Sequence, residues 1–136
     1  VVTAEELLQR GIGDVAAQVR DLVGEMAYLT FDMDFVDPAF APGTGTPEVG
    51  GPSSRQAIDL LRELRGLPMV AADLVEVAPN YDQSEITSML AANLVSEMLS
   101  LIAWKKTKSR VVVYGSGDGR AVLTDKLPAG FDRTAG

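Results

Sequence analysis

Residues Asp32 to Gly51 read D-M-D-F-V-D-P-A-F-A-P-G-T-G-T-P-E-V-G-G. Two aspartates at i and i+2 close an apolar run, Ala27 to Asp32, and a loop rich in Pro, Gly and Thr follows. Side chains alternate along a strand, so Asp32 and Asp34 point the same way if extended geometry persists through Met33. Two carboxylates converging there are hard oxygen ligands suited to Mn²⁺, Mg²⁺ or Ca²⁺. The carboxyl end of a parallel strand is also where open α/β sheets usually bind ligands. The competing reading is conformational, because paired loop aspartates commonly form turns. From the D-x-D pattern alone, turn formation is the commoner outcome.

Outward from this stretch the chain alternates helix and strand. Thr3 to Glu6 fits a capping box, opening a short helix that reaches about Arg10 and breaks at Gly11 and Gly13. Asp14 to Val23 carries Val15, Val19, Leu22 and Val23 at helical spacing, with Gly24 as the stop. The run Tyr28, Leu29 and Phe31 predicts a strand covered on both faces. Ser53 to Gln56 forms a second capping box. Its helix places Ile58, Leu61 and Leu64 on one side and ends at Gly66. Met69 to Val77 is expected as a second buried strand. Asp82 with Glu85 gives a third capping signal before a helix from about Ser84 to Trp104, apolar around most of its circumference. Strands and helices in alternation with short connections imply parallel βαβ units. Two strands cannot cover their own faces and edges, so the expectation is part of a larger α/β domain, a parallel sheet covered by helices. The absence of a methionine before Val1 is read in the same sense, as a fragment.

Composition narrows the function classes. The chain has 136 residues, room for one domain with a modest core. A net charge of −7 argues against non-specific nucleic-acid binding, which needs a basic surface. No apolar run is expected to approach the roughly 18 residues of a membrane span, and no signal segment opens the chain. With no cysteine, disulfides and thiolate metal sites are excluded, which suits a cytoplasmic protein. Histidine is absent as well.

The succession of apolar strand, D-x-D-x-x-D-P (Asp32, Asp34, Asp37-Pro38), A-P-G-T-G-T-P-E (Ala41 to Glu48) and paired glycines (Gly50-Gly51) resembles the second metal-binding signature of the ureohydrolase family. That family comprises binuclear-manganese enzymes including arginase and agmatinase. The similarity continues through D-L-V-E-V-A-P (Asp73 to Pro79) and Tyr81-Asp82 into the following helix. It covers residues 1–104 as the family's carboxyl-terminal part. The resemblance implies an arginase-like three-layer α/β fold of which only the C-terminal portion is present. It implies hydrolysis of a guanidino compound to an amine and urea at two Mn²⁺ ions, and the loop is more like that of agmatinases. By the same resemblance, Asp32 looks like the carboxylate bridging the two ions, Asp34 like the chelator of the second, and Glu76 like the acid facing the substrate guanidinium. A planar guanidinium donates parallel hydrogen bonds to a carboxylate, which suits that last role. The bland reading of Glu76 is a solvated strand-end charge. Its position between Val75 and Val77 on an expected buried strand favours the functional one. Asp37, before a proline, is expected to tie down its own loop, and Gly43, Gly45 and Gly50 to let the backbone bend near the site.

The departure from the family is equally specific. Its remaining metal ligands come from G-G-D-H and D-A-H-x-D segments, neither of which exists here. Two of the six usual protein ligands remain, and the proton-shuttling histidine is absent. The isolated chain is therefore expected not to hydrolyse guanidines. The first function class is an enzyme piece whose missing half lies in another chain or was lost, with a homo-oligomer or a complementing chain as the expected partner. The alternative is a non-catalytic remnant pairing with full-length subunits through a sheet edge and an apolar helix. A bare Ca²⁺ or Mg²⁺ module ranks last, because little coordination is supplied. Residues 105–136 form a tail outside the resemblance. There Lys105, Lys106, Lys108 and Arg110 read as a solvated helix end, Val111 to Leu123 as a glycine-turn hairpin, and Pro128 to Gly136 as a loose end.

Overall fold

The computed structural model describes residues 1–82, 84–106, 111–114 and 121–124, with side chains up to Trp104. Two units divide it, Val1–Lys105 and Lys106–Gly136. The first holds α1 (Ala4–Arg10), α2 (Ile12–Leu22), β1 (Ala27–Asp32), α3 (Ser54–Glu63) and β2 (Met69–Val75), and all but the last residue of α4 (Ile86–Lys106). The second holds β3 (Val111–Tyr114) and β4 (Ala121–Thr124), paired antiparallel with Val111 opposite Thr124. The glycine turn at 115–120, Lys108, Arg110 and residues 128–136 lie outside the described residues.

Local chemistry accounts for most helix starts. Thr3 and Glu6 form a reciprocal capping box, as do Ser53 and Gln56; losing such a cap typically costs about 1 kcal/mol. Gly11 separates α1 from α2 with φ +88°, a conformation open to glycine. Gly13, expected as part of that break, lies inside α2, because one positive-φ residue suffices to redirect the chain. The stop expected at Gly24 falls instead at Val23, an extended residue, and Gly24 has no positive φ. Gly66, at φ +93°, turns the chain after α3.

β1 and β2 run parallel, with Leu29 opposite Ala72, Phe31 opposite Leu74 and Asp32 opposite Val75. The pleat sorts their side chains. Ala27, Leu29, Phe31, Ala72 and Leu74 join one continuous core with Ala16, Ala57, Leu61, Leu64, Leu90, Leu94 and Met98 from the helices. Tyr28, Thr30, Asp32, Ala71 and Val75 on the other face are exposed. The expected cover on both faces is thus corrected to one, because α2, α3 and α4 all contribute to the same core. β2 also ends at Val75 rather than Val77.

Leu94 is fully buried, and its truncation to alanine would cost about 3 kcal/mol in such a setting. Arg62 of α3 meets Glu97 of α4 at 2.6 Å. The Arg65 guanidinium lies 5.0 Å from the Trp104 ring centroid. α4 also corrects the expectation on apolar runs, since Ile86–Trp104, with mean hydropathy 1.5, is long and apolar enough to cross a membrane. One stripe of it, Thr87, Leu90, Ala91, Leu94, Met98 and Leu101, is buried in this domain. The other leaves Met89 and Leu99 more than 60% exposed, at 63% and 61%.

Candidate metal-binding site

The carboxyl end of β1 carries the two aspartates, but extended geometry does not persist between them. A single 3₁₀ turn spans Met33–Phe35, and the Asp32 carboxylate caps it by accepting the Asp34 N–H at 2.8 Å. This corrects the strand-alternation argument. The two side chains nevertheless line one concavity of about 460 Å³, with Thr3, Phe35, Thr46 and Glu48. The buried Met33 between them anchors the turn in the core.

Asp34 is held from the loop that follows. Thr44 Oγ1 donates to its Oδ1, and Thr46 donates to it through both its backbone N–H, at 3.2 Å, and its hydroxyl. The Asp34 carbonyl accepts from Glu48 N–H at 2.8 Å. Two threonines flanking Gly45 thus orient a carboxylate ten and twelve residues upstream. Sequence reading missed both; the signal was the pair of hydroxyl side chains either side of one glycine, T-G-T, in the loop that follows the aspartates. Asp37 ties its own loop, accepting from Ala39 N–H at 2.8 Å and Gly50 N–H at 2.7 Å.

The three loop glycines differ in role. Gly50 takes φ +80°. At Gly43 a Cβ would sit 2.5 Å from Asp82 Cβ, so the loop packs directly onto the start of α4. Gly43 N–H donates to Thr87 Oγ1 at 2.8 Å, and its carbonyl accepts from Ala78 N–H at 2.7 Å. Gly45 has open space around it and no positive φ, so nothing there requires glycine.

Asp82 is buried, and burial alone would raise its pKa. Hydrogen bonds from the Thr87 backbone and side chain, with Ser84 and Ile86 N–H, outweigh burial and hold its carboxyl below the ordinary value. This replaces the expected Asp82–Glu85 capping box. Glu85 stands in the left-handed region at φ 56°, its carbonyl accepting from Met89, and Asp82 caps the helix from further back.

Glu76 does not sit on a buried strand. It follows β2, is exposed, and has φ 64°. Register still puts it at the carboxyl end of the sheet, one residue past the partner of Asp32, although it does not line the concavity with Asp32 and Asp34.

The backbone fold matches solved structures. Residues 1–100 match the arginase family model. The chain belongs to the arginase family. It is 57% identical over 107 residues to an agmatinase of Escherichia coli O7:K1, covering 78% of this chain and 35% of that protein. A hypothetical agmatinase from Burkholderia thailandensis superposes with TM-score 0.73 at 48% identity, covering 76% of this chain and 33% of that one. Proclavaminate amidino hydrolase from Streptomyces clavuligerus gives TM-score 0.73 at 47% identity, covering 76% and 36%. The arginase-like fold is therefore shown over the matched region. The chain spans about a third of the length of the relatives it matches.

Against the family's metal chemistry the residues present fall short. Among the described residues no group of three or more His, Cys, Asp or Glu is placed to hold a metal ion, although Glu48 shares the concavity with the two aspartates. Asp32 and Asp34 are oxygen donors that fit a hard divalent cation as contributors. They do not make a binuclear centre.

Proposed function

We propose that this chain supplies the Asp32/Asp34 carboxylate pair and the Glu76 carboxylate to an agmatinase-like amidinohydrolase, and is inactive alone. The reaction class is hydrolysis of a guanidino compound to an amine and urea. The expected metal is Mn²⁺, two ions in a complete site, most of whose ligands this chain lacks. The observation that carries the reading is the threonine-held Asp34 beside Asp32 in one concavity, inside a region 57% identical to an agmatinase. Glu76 is exposed at the same end of the sheet, which leaves its carboxylate available for a guanidinium. The partners on this reading are a small guanidino substrate and either a complementing chain or further copies, in the cytoplasm.

Two measurements test it. The purified chain with Mn²⁺ and agmatine is expected to release no urea; turnover abolished by Asp32→Ala would overturn the claim of inactivity. A chimera in which residues 1–104 replace the matching part of the E. coli relative should hydrolyse agmatine and lose activity with Asp34→Ala. A soluble but inactive chimera would sink the functional reading.

A further inference from the structure

Thr87 and Asp82 are buried polar residues at the start of α4, with exposures of 0% and 5%. Burying a hydroxyl and a carboxylate is costly unless each is bonded, and here the bonds converge on a joint between three segments. Thr87 Oγ1 accepts the Gly43 N–H at 2.8 Å. The same hydroxyl donates to the Asp82 carboxylate, which also accepts the Thr87 and Ser84 N–H groups. The Gly43 carbonyl accepts the Ala78 N–H at 2.7 Å. Gly43 thus has both backbone groups committed, one to α4 and one to the segment that follows β2. Its missing side chain leaves no slack, because a Cβ there would lie 2.5 Å from Asp82 Cβ.

The two segments joined at Gly43 carry the groups assigned to the reaction. Thr44, the next residue, is buried and donates to Asp34. Glu76 precedes Ala78 by two residues and stands at φ 64°, a conformation that persists only where its surroundings hold it. Pairing of β1 with β2 fixes Asp32 opposite Val75, but Asp34 and Glu76 both lie beyond that pairing. They do not line a common concavity either. We propose that Thr87, backed by Asp82, is a positioning residue for the amidinohydrolase site, holding the Asp34 loop and the Glu76 segment at a fixed spacing through Gly43. This inference rests on the functional reading above and adds residues that lie outside the concavity. A hydroxyl is what the place requires, since one group must accept from Gly43 and donate to Asp82 at once. Valine of the same shape does neither, and serine does both.

Amide hydrogen exchange by NMR on the purified 136-residue chain reads this clamp without substrate or metal. Thr87→Val is expected to accelerate exchange on the order of tenfold at Ala78, and likewise at Thr46 and Glu48. The N–H groups of those last two are held by Asp34, at 3.2 Å and 2.8 Å. Val23 and Leu64, bonded at the ends of α2 and α3, should keep the parent rates, and Thr87→Ser should restore the others. An equal acceleration at Val23 and Leu64, unchanged rates at Thr46 and Glu48, or a serine variant no better than valine would each overturn the proposal. Should Thr87→Val fail to fold, Asp82→Asn carries the measurement, since it weakens the anchor while keeping an acceptor. The same local pattern is then expected, and a uniform response refutes it. In the agmatinase chimera, Thr87→Val should lower kcat/KM about a hundredfold, the scale of a displacement of about 1 Å at a reacting centre, with Thr87→Ser recovering most of it. An unchanged kcat/KM would also overturn the positioning role. A chimera inactive with Thr87 in place refutes the functional reading instead, and the exchange rates still decide the clamp.

Discussion

Replacing Gly43 by alanine should be among the most damaging single changes in the loop. Its Cβ would lie 2.5 Å from Asp82 Cβ, 3.0 Å from Thr87 Oγ1 and 3.2 Å from Thr87 Cβ. None of these atoms is the free end of a flexible side chain, and Asp82 is held in place by Thr87 and Ser84 N–H. Relief therefore requires moving the loop off α4, with an overpacking cost of about 1–3 kcal/mol. The 2.8 Å bond from Gly43 N–H to Thr87 would stretch as well, forfeiting roughly 1 kcal/mol more. A total near 3 kcal/mol lowers the Tm of a domain of this size by roughly 12–20 °C. Urea titration and thermal melts by circular dichroism measure it. Gly45→Ala is the matched control: with nothing within 4 Å of its Cβ, it should fall within about 0.5 kcal/mol of the parent. A Gly43→Ala variant as stable as the parent, or a Gly45→Ala variant equally damaged, would refute the packing argument.

Thr44→Val removes a buried hydroxyl that donates to Asp34 and should cost about 1–2 kcal/mol in urea titration, with Thr44→Ser recovering most of it. Acid sensitivity has a defined sign. The hydrogen bond from Arg62 holds Glu97 below its ordinary pKa against the opposing effect of burial, aided by the Arg62 and Arg65 charges, and Asp82 is also lowered. Groups with depressed folded values contribute stability fully above their unfolded values and lose it as pH falls through the folded ones. Stability should thus decline below roughly pH 5. A urea series against pH should show a shallower decline for Glu97→Gln. Metal should matter little to the fold: for a site of about millimolar affinity, ~1 mM Mn²⁺ raises stability by roughly 0.4 kcal/mol, a Tm shift below about 4 °C relative to chelator. A larger shift by calorimetry would contradict the ligand count.

What could be read from the sequence follows the range of the interaction. The capping boxes at Thr3 and Ser53 close within three residues, so the residues that make them announce them. The Asp82–Glu85 pair looked the same by spacing but failed, because Glu85 turns left-handed and Thr87 takes the carboxylate instead. The apolar run at Tyr28 to Phe31 identified a strand yet not its cover, which depends on what other elements reach each face. The D-x-D motif marked the carboxyl end of β1. The 3₁₀ turn between its members closes locally, through the Asp32 cap on Asp34 N–H, but the spacing fits an extended segment equally well; the threonines that aim Asp34 lie ten and twelve residues away. The likeness to the family supplied the expected roles of Asp32 and Asp34, which spacing alone left open between metal binding and turn formation.

At Glu76 backbone strain and the proposed substrate contact favour different residues. A non-glycine residue in the left-handed region carries a conformational penalty of about 1 kcal/mol, and Glu76 sits there at φ 64° with its side chain in solvent. A designer scoring stability alone would install glycine, relieve the left-handed strain ahead of Val77, and report success. The same edit would erase an acidic group from the mouth of the sheet, so a thermostabilised version of this protein would be the wrong reagent for asking what the position does.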